Sequence, residues 1–156
     1  MAVHLVCDIS GSMSDSGKPF IMRTLVTTVA QWARLGYGQT ELTLSTWGAE
    51  VREHTDWRAE HECPAALLAC EGSSSADALT GLLEANRDDT FLLFTDGFWA
   101  QGVEKQLKQW KGCLPPGAFR IVKVGADANP RLKGEHVFAA EDLLAALDGL
   151  SGGSPS

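Results

Sequence analysis

The sequence predicts a three-layer, doubly wound α/β fold, Rossmann-like, in which a mostly parallel sheet carries helices on both faces. Short apolar runs alternate along the chain with segments whose apolar residues recur at helical spacing. This alternation is typical of βαβ units, whose strands run parallel. The ordinary globular composition and the length of 156 residues predict one domain over residues 1–150. A small-residue tail, expected to be disordered, follows at 151–156.

The first half of the sequence predicts a strand followed by a helix, and then a hairpin. An apolar run at residues 3–7 indicates a buried strand, and residues 20–35 then carry apolar side chains at helical spacing up to a Gly-Tyr-Gly sequence that ends the helix. Residues 41–47 and 51–55 are two extended segments around a short glycine-containing turn. They predict a hairpin, and therefore one antiparallel strand at the edge of the sheet.

The middle of the chain predicts a helix followed by a central strand. Residues 76–85 have a helical pattern, with Ser75 as a candidate N-cap. Residues 91–94 are continuously apolar, which is typical of a strand buried on both faces. The preceding stretch, 56–71, is the hardest to interpret, and we expect a short helix within it.

The last third predicts two more strands and the helices that cover them. We expect an amphipathic helix over 103–110, strands at 119–124 and 137–138, and a short helix after Pro130. A closing helix is expected over 141–150. Its inward-facing residues are predicted to be Leu143, Leu144, Leu147 and Leu150.

Three polar loops lie at or near the same edge of the predicted sheet. Asp8, Ser10 and Ser12 follow the first strand, residues 72–75 precede a helix, and Asp96 lies in a Thr-Asp-Gly sequence after the most apolar strand. If the two strands are adjacent and parallel, both carboxylates emerge side by side, where their repulsion would raise one pKa unless a cation sits between them. Carboxylate and hydroxyl oxygens suit a hard divalent ion such as Mg²⁺.

Each part of this pattern also has a plain structural explanation. Asp8 and Ser10 are residue types that bond to nearby backbone in turns, and Ser75 is a candidate helix N-cap. Asp96 followed by glycine is a common turn dipeptide. Their joint occurrence at matching strand ends nevertheless favours a cation site.

These motifs resemble the von Willebrand factor A family, in its compact bacterial intracellular type. The family's metal-ion-dependent adhesion site combines a D-x-S-x-S loop, a distant Thr and a further Asp, often within T-D-G. The resemblance extends over residues 3–150 and includes the hairpin. It implies that the metal ligands are Asp8, Ser10, Ser12, Ser73 and Asp96. Serines stand where the family usually has its Thr, and Ser73 is the best match, with Ser74 and Ser75 as alternatives.

The resemblance implies a metal-dependent protein-interaction module and not an enzyme. A bound Mg²⁺, or alternatively Mn²⁺ or Ca²⁺, would bridge to an Asp or Glu of a partner protein. Met13, Phe98 and Trp99 are then candidate partner contacts, and Lys18 and Pro19 also border the expected site. Relatives of this type commonly act with an AAA+ ATPase of the MoxR type, or in stress and defence systems.

Two other functions remain open from the sequence. One is a Mg²⁺-dependent phosphohydrolase or nuclease that uses Asp8 and Asp96, although the chain lacks a phosphate-binding G-x-x-x-x-G-K-[ST] loop and a D-x-D sequence. The other is a degenerate domain that binds partners without a metal. The substitution of serine for the family's threonine keeps this second alternative open.

Composition argues against other classes of partner. The net charge of −7 argues against nucleic acid, and the chain has no apolar run long enough to span a membrane. Four cysteines without paired spacing, and no visible signal peptide, predict free thiols in the cytoplasm. A second cluster of metal-binding residue types, which matches no compact zinc pattern, comprises His54, His61, Cys63 and Cys70.

Overall fold

The fold comes from a computed structural model, which describes most of the chain. The described residues are 2–14, 17–35, 41–54, 57–58, 70, 72, 74–86, 88–99, 101–114, 117–125, 128–132, 134 and 136–147. The strands within them are β1 Ala2–Asp8, β2 Glu41–Trp47, β3 Val51–Glu53, β4 Thr90–Thr95, β5 Phe119–Lys123 and β6 Val137–Ala139. The α-helices are α1 Lys18–Leu35, α2 Ala76–Ala85, α3 Gln101–Cys113 and α4 Leu143–Leu147.

The strands form one sheet in the order β3-β2-β1-β4-β5-β6. Every neighbouring pair is parallel except β2 and β3, which form the predicted antiparallel hairpin at the edge. β1 lies in the middle of the sheet, and Cys7 near its end is opposite Phe94 of β4. The two strands that precede the acidic loops are therefore adjacent and parallel, which is the condition for the two carboxylates to emerge side by side.

Helices cover both faces of this sheet, which confirms the three-layer fold class. Successive side chains of a strand point to opposite faces, and β1 shows this directly. Leu5 packs in a cluster with buried residues of α1 and α4, whereas Val6 packs with buried residues of α2 and α3. All six residues of β4 are buried, as expected for a central strand between two helical layers.

Local sequence explains where α2 begins. The Ser75 side chain accepts a hydrogen bond from the backbone N–H of Ala78 at 3.3 Å, so the predicted N-cap is confirmed. Leu79, Leu82 and Leu83 form the buried face of this helix. Because Ser75 is the cap, the serine before it emerges where the chain passes the end of β1.

The C-terminal region differs from the sequence prediction in two places. Pro130 and Arg131 lie in a turn, so no helix begins there within the described residues 128–132. A 3-10 turn at Ala140–Asp142 leads into α4. Leu143 and Leu147 of that helix are buried, but Leu144 is 72% exposed, because residues four apart share a helical face and their neighbour does not.

Several predictions fall on residues outside the described ranges. These are most of the helix expected within 56–71, Leu150 of the closing helix and the tail at 151–156. None of the helices in the described part of the chain combines the length and apolar character needed to cross a membrane.

Two adjacent leucines test which face of α4 packs against the core. Leu143→Ala removes a side chain that is only 6% exposed, and should lower the free energy of unfolding by about 2–5 kcal/mol. Leu144→Ala should change it by less than about 0.5 kcal/mol, since that side chain faces outward. Urea denaturation of both variants checks this, and equal losses would show that the helix packs in another register.

Candidate metal-ion site

Three segments of the chain converge on the carboxylate of Asp8. This residue ends β1 and is fully buried. Its Oδ1 accepts hydrogen bonds from the backbone N–H of Ser10 at 2.9 Å and from the Ser74 hydroxyl at 2.8 Å. Its Oδ2 accepts one from the Thr95 hydroxyl at 2.6 Å. Asp8 therefore joins the loop after β1, the loop before α2 and the end of β4.

The loop after β1 turns back on itself and brings two hydroxyls together. Ser10 Oγ and Ser12 Oγ lie 3.4 Å apart. A 3-10 turn over Gly11–Ser14 shapes the loop, and the N–H of Gly11 donates to the carbonyl of Gly72 at 2.8 Å. That backbone bond fixes the first serine loop against the second.

The serines before α2 have different roles. Ser74 donates to Asp8 and lies 3.2 Å from the Trp47 carbonyl, whereas the Ser75 hydroxyl caps the helix. Ser73, the best match by counting from the helix, lies outside the described residues. Ser74, which was an alternative in the sequence analysis, is the serine whose hydroxyl the described structure brings to Asp8.

The second acidic residue, Asp96, is also fully buried. Its Oδ1 accepts from the backbone N–H of Phe98 at 3.1 Å. Its Oδ2 accepts from the Lys18 ammonium at 3.0 Å, and that ammonium also donates to the carbonyl of Ser12 at 3.2 Å. Both carboxylates thus have short polar contacts that hold them in place.

Lys18 is the member of the site whose role the sequence did not reveal. From the sequence, Lys18 is expected only to border the site, but its side chain is 2% exposed and is paired with Asp96. A lysine that begins a helix is ordinarily a surface residue, and no local pattern distinguishes a buried one. The arrival of Asp96 from a distant strand supplies the opposite charge that offsets its burial.

Hydrogen bonds to Thr95 and Gly97 fix the Thr-Asp-Gly loop. The Thr95 hydroxyl accepts from the N–H of Gly97 at 3.1 Å and from the Trp99 indole at 2.9 Å. Asn129 donates its side-chain amide to the Gly97 carbonyl at 3.0 Å. Gly97 has a φ of 78°, and a Cβ there would lie 2.6 Å from Leu132 Cδ2, so this position requires glycine.

The three residues expected to contact a partner differ in exposure. Met13 is fully buried in the core, because the 3-10 turn directs it inward, and it offers no surface to a partner. Trp99 is half-buried, with its ring 6.2 Å from that of Trp47 and its N–H donated to Thr95. Phe98 is 47% exposed. Of the three, Phe98 therefore presents the largest exposed fraction beside the acidic loop.

The side chains of Asp8, Ser10, Ser12, Ser74 and Asp96 form what we call the oxygen cluster. Buried carboxylates and neighbouring hydroxyls are hard ligands, and their chemistry fits Mg²⁺ or Mn²⁺ better than a soft metal. Among the described residues, no group of three or more His, Cys, Asp or Glu side chains could hold a metal. A cation here would thus depend on hydroxyl ligands as well as on the two carboxylates.

The second cluster of metal-binding residue types is only partly described. His54 Nε2 lies 3.4 Å from the Thr46 hydroxyl, and Cys70 packs against the core, whereas His61 and Cys63 lie outside the described residues. Burial, followed by the negative charges of Asp8 and Asp96, raises the pKa of the Cys70 thiol to about 11. The thiol therefore experiences the electrostatic field of the oxygen cluster.

The raised pKa of Cys70 predicts slow alkylation. At pH 8 its thiolate fraction should be roughly 100-fold or more below that of an ordinary thiol, so iodoacetamide should modify exposed Cys113 first. Peptide mass mapping against pH should show Cys70 labelling rising as pH approaches about 11. Equal labelling of both residues at pH 8 would contradict the described environment of Cys70.

The chain is similar to known proteins in structure but not in sequence. Neither the protein-family models nor the curated protein sequences contain a match to the chain. Manganese-loaded TRAP protein of Plasmodium vivax is similar, with a TM-score of 0.65 at 12% identity over 97% of this chain and 73% of that one. The conserved hypothetical protein BatB from Bacteroides thetaiotaomicron has a TM-score of 0.54 at 11% identity, over 79% of this chain and 66% of that chain.

A von Willebrand factor type A structure from Catenulispora acidiphila is also similar. It has a TM-score of 0.55 at 15% identity, over 96% of this chain and 41% of that one. The mostly parallel sheet with one antiparallel edge strand and helices on both faces agrees with this likeness. The chain therefore has the fold of the von Willebrand factor A domain.

Proposed function

We propose that this chain is a non-enzymatic protein-interaction module whose oxygen cluster holds a divalent cation. The observation that carries the proposal is the convergence of three loops on the buried Asp8 carboxylate. When bound, the cation supplies a Lewis-acidic contact for an Asp or Glu side chain of a partner protein. The chain's own residues hold the ligands in place, with both carboxylates buried.

In this proposal Ser74 takes the place that counting from the helix assigned to Ser73. The Ser74 hydroxyl lies 2.8 Å from Asp8 Oδ1, which supports its inclusion in the ligand set. Ser75 is engaged as the cap of α2 and does not belong to the set. A serine hydroxyl is the same kind of ligand as the threonine hydroxyl found in the family.

Mg²⁺ and Mn²⁺ are the ions that this cluster suits best. Mg²⁺ is typically bound through one or two carboxylates and completes its shell with other oxygens, including water. Ca²⁺ usually takes about six to eight oxygen ligands, which makes it the less favoured ion. The manganese-loaded neighbour supports the choice of a small divalent cation.

The negative charge of the whole chain, combined with a positive contact at one point, favours a partner that places an acidic group at that point. The net charge of −7 repels acidic proteins in general. A locally positive contact in the oxygen cluster would select a carboxylate placed at that one point. The exposed ring of Phe98 beside it offers apolar area around the contact.

The wider biological role stays a prediction from the family resemblance. It is that of an adaptor in a bacterial multi-protein system, beside a MoxR-type AAA+ ATPase or in stress or defence. Co-purification with such an ATPase in Mg²⁺, but not in EDTA, would support it. The metal-free scaffold and the phosphohydrolase or nuclease are the competing functions that the following experiments exclude or establish.

Two adjacent serines provide a matched test of the ligand set. Ser74→Ala should weaken Mn²⁺ binding at least about tenfold, a loss of roughly 1.4 kcal/mol, in isothermal titration calorimetry. Ser75→Ala should bind Mn²⁺ like the wild type but lose about 1 kcal/mol of stability with its helix cap. Metal binding that is unchanged by Ser74→Ala would remove that residue from the site, and the absence of binding in the wild type would favour the metal-free scaffold.

The bridge to a carboxylate is tested with displayed peptides. Peptides selected on the Mn²⁺-loaded protein should contain an Asp or Glu, and should lose binding in EDTA or after change of that residue to Asn or Gln. The physical reason is that a neutral amide is a much weaker ligand for a divalent cation. Binding that persists in EDTA would contradict the bridge, and Mg²⁺-dependent turnover of bis-p-nitrophenyl phosphate would instead establish the enzyme alternative.

A further inference from the structure

Lys18 brings a positive charge into the oxygen cluster. It is the first residue of α1, and its side chain turns back to Asp96 Oδ2 at 3.0 Å and to the Ser12 carbonyl at 3.2 Å. The exposed fractions of the two charged side chains are 2% for Lys18 and 0% for Asp96. The ion pair is therefore shielded from solvent on both sides.

Two physical costs oppose this position of Lys18. Removing an ammonium from water is unfavourable unless the charge is paired and hydrogen-bonded. The N-terminus of a helix is also the positive end of its dipole, which disfavours a cation. The contacts that offset these costs are the Asp96 carboxylate, the Ser12 carbonyl and the ring of Phe98, whose centroid lies 5.5 Å from the ammonium.

The groups that bind this ammonium belong to the same loops that carry the proposed metal ligands. One oxygen of Asp96 is occupied by Lys18 and the other by the N–H of Phe98. A divalent cation that draws on Asp96 must therefore share this carboxylate with a fixed positive charge. Electrostatic repulsion between the two cations lowers the affinity of the site for metal.

We propose that Lys18 is an internal counter-ion of the oxygen cluster, which keeps the metal-free site ordered and weakens its affinity for a divalent cation. This inference rests on the proposed function, because it concerns the same site. It also gives the site a definite charge. With both carboxylates ionised, the metal-free cluster together with the Lys18 ammonium carries one net negative charge. A divalent cation converts this to one net positive charge, which favours an anionic ligand.

The test removes the charge of Lys18 while keeping most of the length of its side chain. Lys18→Met should bind Mn²⁺ at least about tenfold more tightly than the wild type in calorimetric titration, since one unit charge at close range shifts ionic equilibria by about 1–3 powers of ten. In EDTA the same variant should melt at a lower temperature, because Asp96 is left buried without its partner. Saturating Mn²⁺ should then raise its Tm more than that of the wild type.

Two further variants keep this test decisive. Lys105→Met makes the same change in net charge at an exposed position of α3, and should leave both Mn²⁺ affinity and Tm as in the wild type. Lys18→Gln provides a neutral polar replacement if Lys18→Met does not fold, and should also bind Mn²⁺ more tightly. Circular dichroism in EDTA verifies the fold of each variant before titration.

The possible outcomes separate this inference from the proposed function. Mn²⁺ binding by the wild type, with equal or weaker binding by folded Lys18 variants, would overturn the counter-ion role and leave the proposed function standing. Binding by the Lys18 variants but not by the wild type would support the counter-ion role and overturn a metal-loaded wild type. No binding by any of these proteins would overturn both.

Discussion

The buried carboxylate of Asp8 is the point on which the arrangement of the site depends. A charged group without access to water must have its oxygens satisfied by fixed donors. Here those donors are one backbone N–H and two hydroxyls, from Ser10, Ser74 and Thr95. Loss of any one would leave part of a buried charge uncompensated. The three segments are therefore held together by hydrogen bonds to one carboxylate, and these bonds set the geometry around Asp8.

The order of the strands and the contacts of one tryptophan bring these donors to Asp8. β1 lies between β2 and β4, so the loops that follow these strands meet above its end. Trp47, at the end of β2, accepts from Ile9 N–H at 3.0 Å and from the Ser74 hydroxyl, and its indole donates to the carbonyl of Ser75 at 2.7 Å. The backbone carbonyl of Trp47 thus joins the first serine loop to the second, and its fully buried indole holds the second loop in place.

The sequence was sufficient to predict the fold class, the hairpin and the cap at Ser75, because each depends on local sequence or on a general rule of α/β folds. It was not sufficient for choices that depend on distant partners. Ser74 reaches Asp8 from a loop whose register is set partly by Trp47, and the buried Lys18 has its charged partner, Asp96, in a distant part of the chain. Met13 turns inward through a tight turn that hydropathy alone does not reveal.

The hydrogen bonds that hold the oxygen cluster join segments far apart in sequence, which has a consequence for how the chain folds. Asp8 and Thr95 are 87 positions apart, and Ser74 is 66 positions from Asp8. Contacts between such distant segments require large loops to close, and so they form slowly compared with local helices. The cluster cannot assemble before these segments meet, and a nascent or truncated chain that ends before β4 lacks both Asp96 and the Thr95 contact to Asp8. Cation binding would thereby distinguish completed molecules from partly folded ones.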